Sequence, residues 1–246
     1  MHPTICHIGP FTIYSYGLML VAAFLVASYL CGQKARSINF NTNYLYNLLF
    51  FAFLLGILGA RIFYVIEHSS YYIKRPMEIL MLQYGGLSWF GGLILGSVFA
   101  TIYLRLKKLN VLTVLDLIAP FLALGQAIGR IGCFLNGCCY GRYSELGIYF
   151  PVHDAVLIPT QLYASFFLVV IFITLRFIQD KPHRSGVVFF AYLLLYSIQR
   201  FFIETLRADN PRILFGLTLF QLLCIAAFTL SCAWFLFSAR NKKTTV

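Results

Sequence analysis

Seven long apolar stretches, separated by shorter polar segments, follow one another along the chain. Each approaches the roughly 20 residues that an α-helix needs to cross the hydrocarbon core of a bilayer. The predicted spans are Ile13–Gly32, Tyr44–Ile66, Gly85–Leu104, Leu112–Ile128, Gln161–Phe177, Val187–Ile203 and Leu214–Phe237. The pattern therefore predicts an all-α fold, a polytopic membrane helix bundle of about seven transmembrane helices that forms a single domain over residues 1–246.

The composition points the same way. The chain is 60% hydrophobic and only 11% charged, and its mean hydropathy is +0.81. A soluble domain of this length needs a far more polar surface. The formal net charge of +11 is typical of proteins with acidic partners such as nucleic acid. Membrane proteins also collect Lys and Arg on their cytoplasmic loops, so we expect membrane lipids and no nucleic acid as partners.

The Lys and Arg residues are divided unequally between the two sides of the predicted bundle. Eleven lie in or at the edge of the first, third and fifth connections and the C-terminus. The N-terminus and the second, fourth and sixth connections together carry six. Because positive charge favours the cytoplasmic side, the sequence predicts that the N-terminus lies outside and the C-terminus lies in the cytoplasm.

Several charged residues fall at membrane depth, where an unpaired charge is costly and indicates a functional site. Arg61 and Arg200 lie inside predicted spans, and Arg130 begins the long outer connection. Glu204 and Arg207 follow Arg200 at spacings that place all three on one helix face.

Three interpretations of these charges stay open. Arg61 and Arg207 suit snorkelling residues at helix ends. Arg200 and Glu204 suit a purely structural ion pair. The third interpretation is an anion site, because guanidinium groups bind phosphate through paired hydrogen bonds, and the abundant phosphate in a bilayer is a lipid headgroup.

Two glycine-rich stretches accompany these charges. The stretch Gly129–Arg142 has four glycines, an arginine on each side and Asn136, and is predicted to form part of an outer connection. Glycines there allow turns and close approach of the backbone to a ligand. The stretch Gly85–Gly96 is predicted to pack helices closely through small residues.

Cysteines give a weaker signal. The chain has seven, an odd number scattered over apolar helices, which is no disulfide framework. Cys133, Cys138 and Cys139 have a C-x4-C-C spacing that matches no common zinc pattern, so no metal is expected. A thiol relay stays open as an alternative.

Taken together, these motifs resemble the prolipoprotein diacylglyceryl transferase family, in order along nearly the whole chain. The matching blocks are Tyr16-Gly17, Gly59–Tyr64, Gly85–Gly96, Gly129–Gly132 with Asn136-Gly137 and Gly141, Pro159–Tyr163, and Tyr196–Glu204 followed by Arg207. The resemblance implies a bacterial inner-membrane protein whose active site faces the extracytoplasmic side.

The resemblance also implies a reaction. The diacylglyceryl group of phosphatidylglycerol passes to the lipobox cysteine thiol of a prolipoprotein, forming a thioether and releasing sn-glycerol-1-phosphate. Phosphatidylglycerol and the prolipoprotein signal-peptide lipobox are then the substrates, and no cofactor is required. A divergent paralogue that acts as a membrane thiol oxidoreductase, or a non-catalytic lipid-binding protein, is the alternative.

The matched positions carry expected roles. Arg130 binds the phosphatidylglycerol headgroup, with Arg61, Asn136 and Gly141 shaping its site. The expected catalytic residues are Arg200, which stabilises the leaving phosphate, Tyr196, which hydrogen-bonds the reacting groups, and Tyr16, which lines the site. Glu204 and Arg207 orient Arg200 or gate a lateral opening.

Four positions depart from the family pattern, and one of them is Ala164, which stands where a glutamate is frequent. Phe90 stands where many members carry histidine or tyrosine, and a phenylalanine cannot accept a proton. The proton of the attacking thiol is then left to Tyr196, Tyr16 or a water molecule. Cys133 and Cys138 stand where asparagine and, in some members, glutamate are found.

Overall fold

The computed structural model describes residues 4–8, 11–81, 85–208 and 210–240. Seven of the helices in this part of the chain are long and apolar enough to cross a membrane, which confirms the predicted bundle and indicates a multi-pass membrane protein. The helices are α1 (Ser15–Ser37), α2 (Thr42–Glu67), the single turn α3 (Ser69–Tyr72), α4 (Trp89–Leu106), α5 (Val111–Asn136), α6 (Thr160–Gln179), α7 (Val187–Leu206) and α8 (Leu219–Arg240).

Three short antiparallel hairpins occur in the connections. They are β1 (Thr4–Ile8) with β2 (Phe11–Tyr14), β3 (Tyr143–Phe150) with β4 (Ala155–Leu157), and β5 (Arg212–Leu214) with β6 (Leu217–Thr218). A 3-10 helix, Pro76–Leu80, lies between α3 and α4. None of the three hairpins was expected from the apolar pattern, because their strands are too short to show a clear alternation.

Three predicted boundaries are wrong by five residues or more. Helix α1 continues to Ser37 instead of ending at Gly32. Helix α5 continues to Asn136 instead of ending at Ile128, so Arg130 lies within a helix and does not begin a connection. Gly132 serves close helix packing there, since a Cβ at this position would lie 2.8 Å from the Cβ of Met19 on α1. Helix α8 begins five residues later than predicted, because the apolar segment after Leu214 turns between β5 and β6.

The chain divides into two compact units, Met1–Cys31 with Leu115–Val246, called unit 1, and Gly32–Val114, called unit 2. The single domain expected from the sequence stays a prediction.

Unit 1 has an apolar core between α5, α6 and α7. Within this core Asp116, a buried carboxylate on α5, accepts hydrogen bonds from the backbone N–H groups of Gly186 at 2.6 Å and Phe189 at 2.7 Å. These are orphan donors of the first turn of α7, and a carboxylate stabilises a helix N-terminus. Asp116 therefore fixes the start of the helix that carries Tyr196, Arg200 and Glu204.

Unit 2 is built on the packing of α2 against α4 through glycines. A Cβ on Gly59 would lie closer than 3.0 Å to the carbonyl oxygen of Gly91, and a Cβ on Gly91 would lie equally close to that of Gly59. The backbones approach at these positions as small residues allow in membrane helices. Gly91, Gly92 and Gly96 are thus packing residues, as the sequence pattern predicted.

Gly91→Ala should lower the thermal unfolding temperature of the detergent-solubilised protein, because overpacking a tight contact costs about 1–3 kcal/mol. Gly96→Ala is the matched control on the same helix, since a Cβ there would lie 3.4 Å from its nearest neighbour, in ordinary contact. Equal unfolding temperatures for the two variants would contradict the backbone contact.

Candidate active site

Arg200 and Glu204 form a buried ion pair one helical turn apart on α7. Nη2 of Arg200 lies 2.6 Å from Oε2 of Glu204, and the two residues are 6% and 2% exposed. The guanidinium also lies over the ring of Phe220, 5.0 Å from its centroid. A carboxylate on one side and an aromatic face on another hold the arginine in one orientation.

The carboxylate of Glu204 is itself held by the hairpin that follows α7. Thr218 donates its hydroxyl to Oε1 at 3.1 Å, and the side-chain amide of Asn210 donates to the same oxygen. Nε of Arg207 lies 4.0 Å from Oε2. Glu204 is therefore a fixed buried charge, and it positions Arg200 as the sequence predicted for a residue that orients it.

One nitrogen of Arg200 is left over. Nη1 is buried and has no hydrogen-bond partner among the described residues. A buried donor without an acceptor costs about 1–3 kcal/mol, and more when the group is charged. An anion that accepts from Nη1 would recover this energy, so the geometry favours a ligand with a negatively charged oxygen at this place.

Arg130 and Tyr196 complete the cluster. Arg130, on α5, interacts electrostatically with Arg200 and Arg207, and Tyr196 interacts with both Arg130 and Arg200. Several guanidinium groups in one cluster repel one another, and among the described residues Glu204 is the acidic group that offsets their charge. The excess positive charge favours an anionic ligand.

Tyr16 lies at the same cluster, near the start of α1. Its hydroxyl interacts electrostatically with Arg130 and with the thiols of the C-x4-C-C segment, and the residue is 37% exposed. The close packing of α1 on Gly132 of α5 places it there. Four of the residues expected from the sequence, Tyr16, Arg130, Tyr196 and Arg200, are thus brought together within unit 1.

Hydrogen bonds from the first turn of α6 hold the connection after α5 in place. Gln161 donates its amide to the carbonyl oxygen of Cys138 at 2.6 Å, and Thr160 donates its hydroxyl to that of Cys139 at 2.7 Å. Both residues are 1% exposed. In the sequence, Gln161 is only part of a block that matches the family, and nothing in the spacing indicated its contact with the cysteine segment.

Gly141 joins this connection to the end of α7. It forms a β-bridge with Arg207, and a Cβ on it would lie 2.8 Å from both Ile158 and Thr160. A side chain at position 141 would therefore clash with these two residues and with the carbonyl oxygen of Leu206 at the end of α7. Asn136, the last residue of α5, contacts the side chain of Cys138, so both residues shape this connection.

The three cysteines of this segment come together. The Sγ atoms of Cys133, Cys138 and Cys139 all lie within 4.8 Å of one another. Hydrogen bonds from the other two thiols, and the charges of Arg207 and Arg130, lower the pKa of the Cys139 thiol. The spacing gave no sign of this, because it depends on backbone turns and not on a helical or zinc-finger pattern.

Arg61 does not fit the role expected for it. Its five guanidinium N–H groups have five backbone carbonyl acceptors within unit 2, those of Glu78, Ile79, Met81, Gly85 and Gly86, at 2.6–3.3 Å. The group also lies over the ring of Tyr72 at 5.3 Å. Every donor is used within unit 2, so we expect Arg61 to have a structural role in place of the headgroup contact.

Arg61→Leu should lower the free energy of unfolding by several kcal/mol, since each lost hydrogen bond contributes about 1 kcal/mol and the carbonyls lose their donor. Arg75→Leu is the control, because Arg75 is an exposed arginine of the same connection. Thermal unfolding and limited proteolysis between residues 76 and 86 measure the effect. Equal stability of the two variants would show that the five hydrogen bonds contribute nothing.

A cavity of about 250 Å³ opens beside the ion pair, at the end of α7. Its lining includes Glu204, Arg207, Arg142, Arg212 and Gln221, and excludes Arg130 and Arg200. Glu204 and Arg207 therefore lie between this polar cavity and the buried guanidinium of Arg200, where a gate residue is expected.

Comparisons with known proteins give a consistent result. A family model described as prolipoprotein diacylglyceryl transferase matches residues 3–237. Relatives named phosphatidylglycerol–prolipoprotein diacylglyceryl transferase include one from Streptococcus agalactiae, 34% identical over 220 residues that cover 85% of this chain and 86% of the relative. Another, from Clostridium kluyveri, is 34% identical over 257 residues that cover 99% of both. These names favour a transferase over a thiol oxidoreductase or a non-catalytic lipid-binding protein.

Proposed function

This chain belongs to the prolipoprotein diacylglyceryl transferase family, and we propose that it transfers the diacylglyceryl group of phosphatidylglycerol to a prolipoprotein cysteine. The observation that carries the proposal is the buried Nη1 of Arg200, which has no partner among the described residues and lies in a cluster of positive charge. A phosphodiester oxygen supplies the acceptor that this nitrogen needs.

The chemistry follows from the bonds that change. The thiol of the acceptor cysteine passes its proton, through Tyr196, Tyr16 or a water molecule, to the departing phosphate, and the sulfur attacks the glycerol carbon that bears the phosphoester. The C–S bond forms while the C–O bond breaks, and the oxygen keeps the electron pair, so that glycerol-1-phosphate leaves. Negative charge grows on the phosphate, and guanidinium groups fixed beforehand stabilise that charge without reorganisation.

Each residue then has a task. Phosphatidylglycerol has a single phosphate: Arg130 binds it in the lipid headgroup, and Arg200 stabilises the further negative charge that grows on the same phosphate as it departs. Tyr196, which interacts with both arginines, hydrogen-bonds the reacting groups. Tyr16, exposed at the same cluster, is placed to meet the acceptor thiol. Glu204 keeps Arg200 in place throughout the reaction.

The site faces the extracytoplasmic side of the inner membrane in this proposal. The support is the distribution of charge, since eleven Lys and Arg lie on the predicted cytoplasmic side and six on the other. Arg207 and Arg212 follow the C-terminal end of α7, and Arg142 follows α5 at the same membrane face. A lipid and a lipobox segment both approach such a site from the plane of the membrane.

The test uses the purified protein with phosphatidylglycerol and a synthetic lipobox peptide. Mass spectrometry should detect addition of a diacylglyceryl group to the peptide cysteine, together with released glycerol phosphate. A peptide with Cys→Ser and vesicles of phosphatidylcholine alone are the controls. Unmodified peptide in the presence of an active family enzyme as reference would reject the proposed activity, and modification of the serine peptide would reject the proposed nucleophile.

A further inference from the structure

The proposed transfer reaction assigns no task to the three cysteines at the end of α5. Cys133 lies in the last turn of that helix, and Cys138 and Cys139 follow in the connection. Their three Sγ atoms lie within 4.8 Å of one another, although the residues are separated along the chain. The other described cysteines, Cys31, Cys224 and Cys232, belong to no such group.

The end of α5 has a glycine cap that turns the chain back towards the helix, since the backbone N–H groups of Gly137 and Cys138 donate to the carbonyl oxygens of Phe134 and Cys133. Gly137 and Cys139 both have positive φ angles, +74° and +64°. Such a conformation suits glycine but costs about 1–3 kcal/mol in a residue with a side chain, and such strain is found at functional sites. The turn lets the backbone N–H of Cys138 donate to the carbonyl oxygen of Cys133 at 3.1 Å, which folds the connection back on the helix.

Buried side chains hold this conformation. Gln161 and Thr160 bind the carbonyl oxygens of Cys138 and Cys139, as described above, and Nε2 of His153 lies 2.8 Å from that of Gly137. The thiols themselves keep part of their surface open, since all three cysteines are only half-buried. The sulfurs are thus both fixed in place and reachable.

The spacing of the sulfurs matches that of ligands around one metal ion. With Zn–S bonds of about 2.3 Å, three thiolates around a shared ion lie about 4 Å apart. The observed sulfurs need to close by less than about 1 Å to reach this distance. A disulfide, in contrast, joins two sulfurs and gives no reason for the third to lie in the same group.

The surrounding charges also suit such an ion. Three thiolates around a divalent cation carry a net negative charge, and around a monovalent cation a larger one. Arg130 and Arg207 both interact electrostatically with Cys139 and offset this charge.

We propose that Cys133, Cys138 and Cys139 form a three-sulfur binding site for a thiophilic d10 metal ion, of the class of Zn²⁺ or Cu⁺. Binding releases the thiol protons and forms three metal–sulfur bonds, with no change of oxidation state. The ion links the last turn of α5 to the connection that ends at Gly141, and so fixes the helix end that carries Arg130.

Titration of the reduced, detergent-solubilised protein with Zn²⁺ and Cd²⁺ tests the site. One equivalent should bind per chain, with the ultraviolet charge-transfer band of cadmium thiolates, and X-ray absorption of the zinc-loaded wild type should give three sulfur neighbours. Cys133→Ser, Cys138→Ser and Cys139→Ser should each weaken binding by more than the about 10–100-fold typical of an outer-shell change. Cys232→Ser, which alters an isolated cysteine, should leave binding unchanged.

Several results would overturn the site. They are fewer than three sulfur neighbours in the wild type, equal affinity of the three serine variants and Cys232→Ser, or a disulfide between two of the three cysteines in the protein as isolated. The absorption measurement needs no variant, so a variant that fails to fold leaves the test intact. Because metal binding is measured without lipid or peptide, its outcome is independent of the proposed transferase activity.

Discussion

Arg200→Lys should lower kcat for transfer by about 100- to 1000-fold, the usual effect of removing one donor that stabilises transition-state charge. Lysine keeps the positive charge but is a single point donor. Glu204, which lies 2.6 Å from Nη2 of Arg200, would hold the ammonium and leave nothing in the place of Nη1. The loss should appear mainly in kcat, because the phosphodiester of the bound lipid already carries one negative charge and its second develops only in the transition state.

The control for Arg200→Lys is Arg240→Lys, the same exchange at the exposed end of α8. Transfer rates at saturating phosphatidylglycerol, with unfolding temperatures measured in parallel, separate catalysis from folding. If the Arg200→Lys protein folds and keeps the wild-type kcat, Nη1 of the Arg200 guanidinium has no part in the reaction.

Arg130→Gln should raise KM for phosphatidylglycerol and lower kcat/KM by at least about 30-fold. Truncating a buried charged contact costs about 2 kcal/mol or more, and 1.4 kcal/mol is a factor of ten. Glutamine keeps a hydrogen-bonding side chain, although a shorter one, and loses the charge that attracts the headgroup. The headgroup phosphate is bound both before and during the reaction. Arg130→Gln should therefore change KM more strongly than Arg200→Lys does.

Arg184→Gln is the matched exchange for Arg130, because Arg184 is an exposed arginine before the start of α7. Lipid-dependent rates over a range of phosphatidylglycerol fractions in mixed micelles give KM and kcat separately. Equal KM values for Arg130→Gln and Arg184→Gln would remove headgroup binding from the role of Arg130.

The helical spans were predictable because each is a long apolar run, and the bilayer sets its length. The end of α5 was not, since Gly129 and Gly132 look like turn residues in the sequence. Their use in a helix depends on α1, where Met19 packs against Gly132. A tertiary contact decides the boundary, and no local pattern records it.

Arg61 and Arg200 show how far the candidate site could be predicted from the sequence. In the sequence both are arginines at membrane depth, and both were expected to meet a lipid phosphate. The fold gives Arg61 five carbonyl acceptors from residues 17 to 25 positions away, whereas Arg200 meets a carboxylate four residues on and keeps Nη1 without a partner. The difference lies in how a connection folds, which the residue types alone do not specify.

The Arg200–Glu204 pair was predictable, because a spacing of four residues on a helix brings side chains together. The cysteine cluster was not, because it rests on positive φ angles at Gly137 and Cys139 and on Gln161 from another helix. Local periodicity predicts contacts within one helix or strand. It does not predict backbone turns that are stabilised by side chains distant in the sequence.

The most direct test measures the distance between the guanidinium of Arg200 and the phosphorus of phosphatidylglycerol. Solid-state NMR of protein with ¹⁵N-labelled arginine in bilayers of this lipid reports ¹⁵N–³¹P dipolar coupling, and the Arg200 signal is identified by its absence in Arg200→Lys. The account predicts strong coupling between an Arg200 side-chain nitrogen and the lipid phosphorus, and none for Arg61. Coupling that is absent for Arg200 and Arg130, or that is found at Arg61 instead, would contradict it.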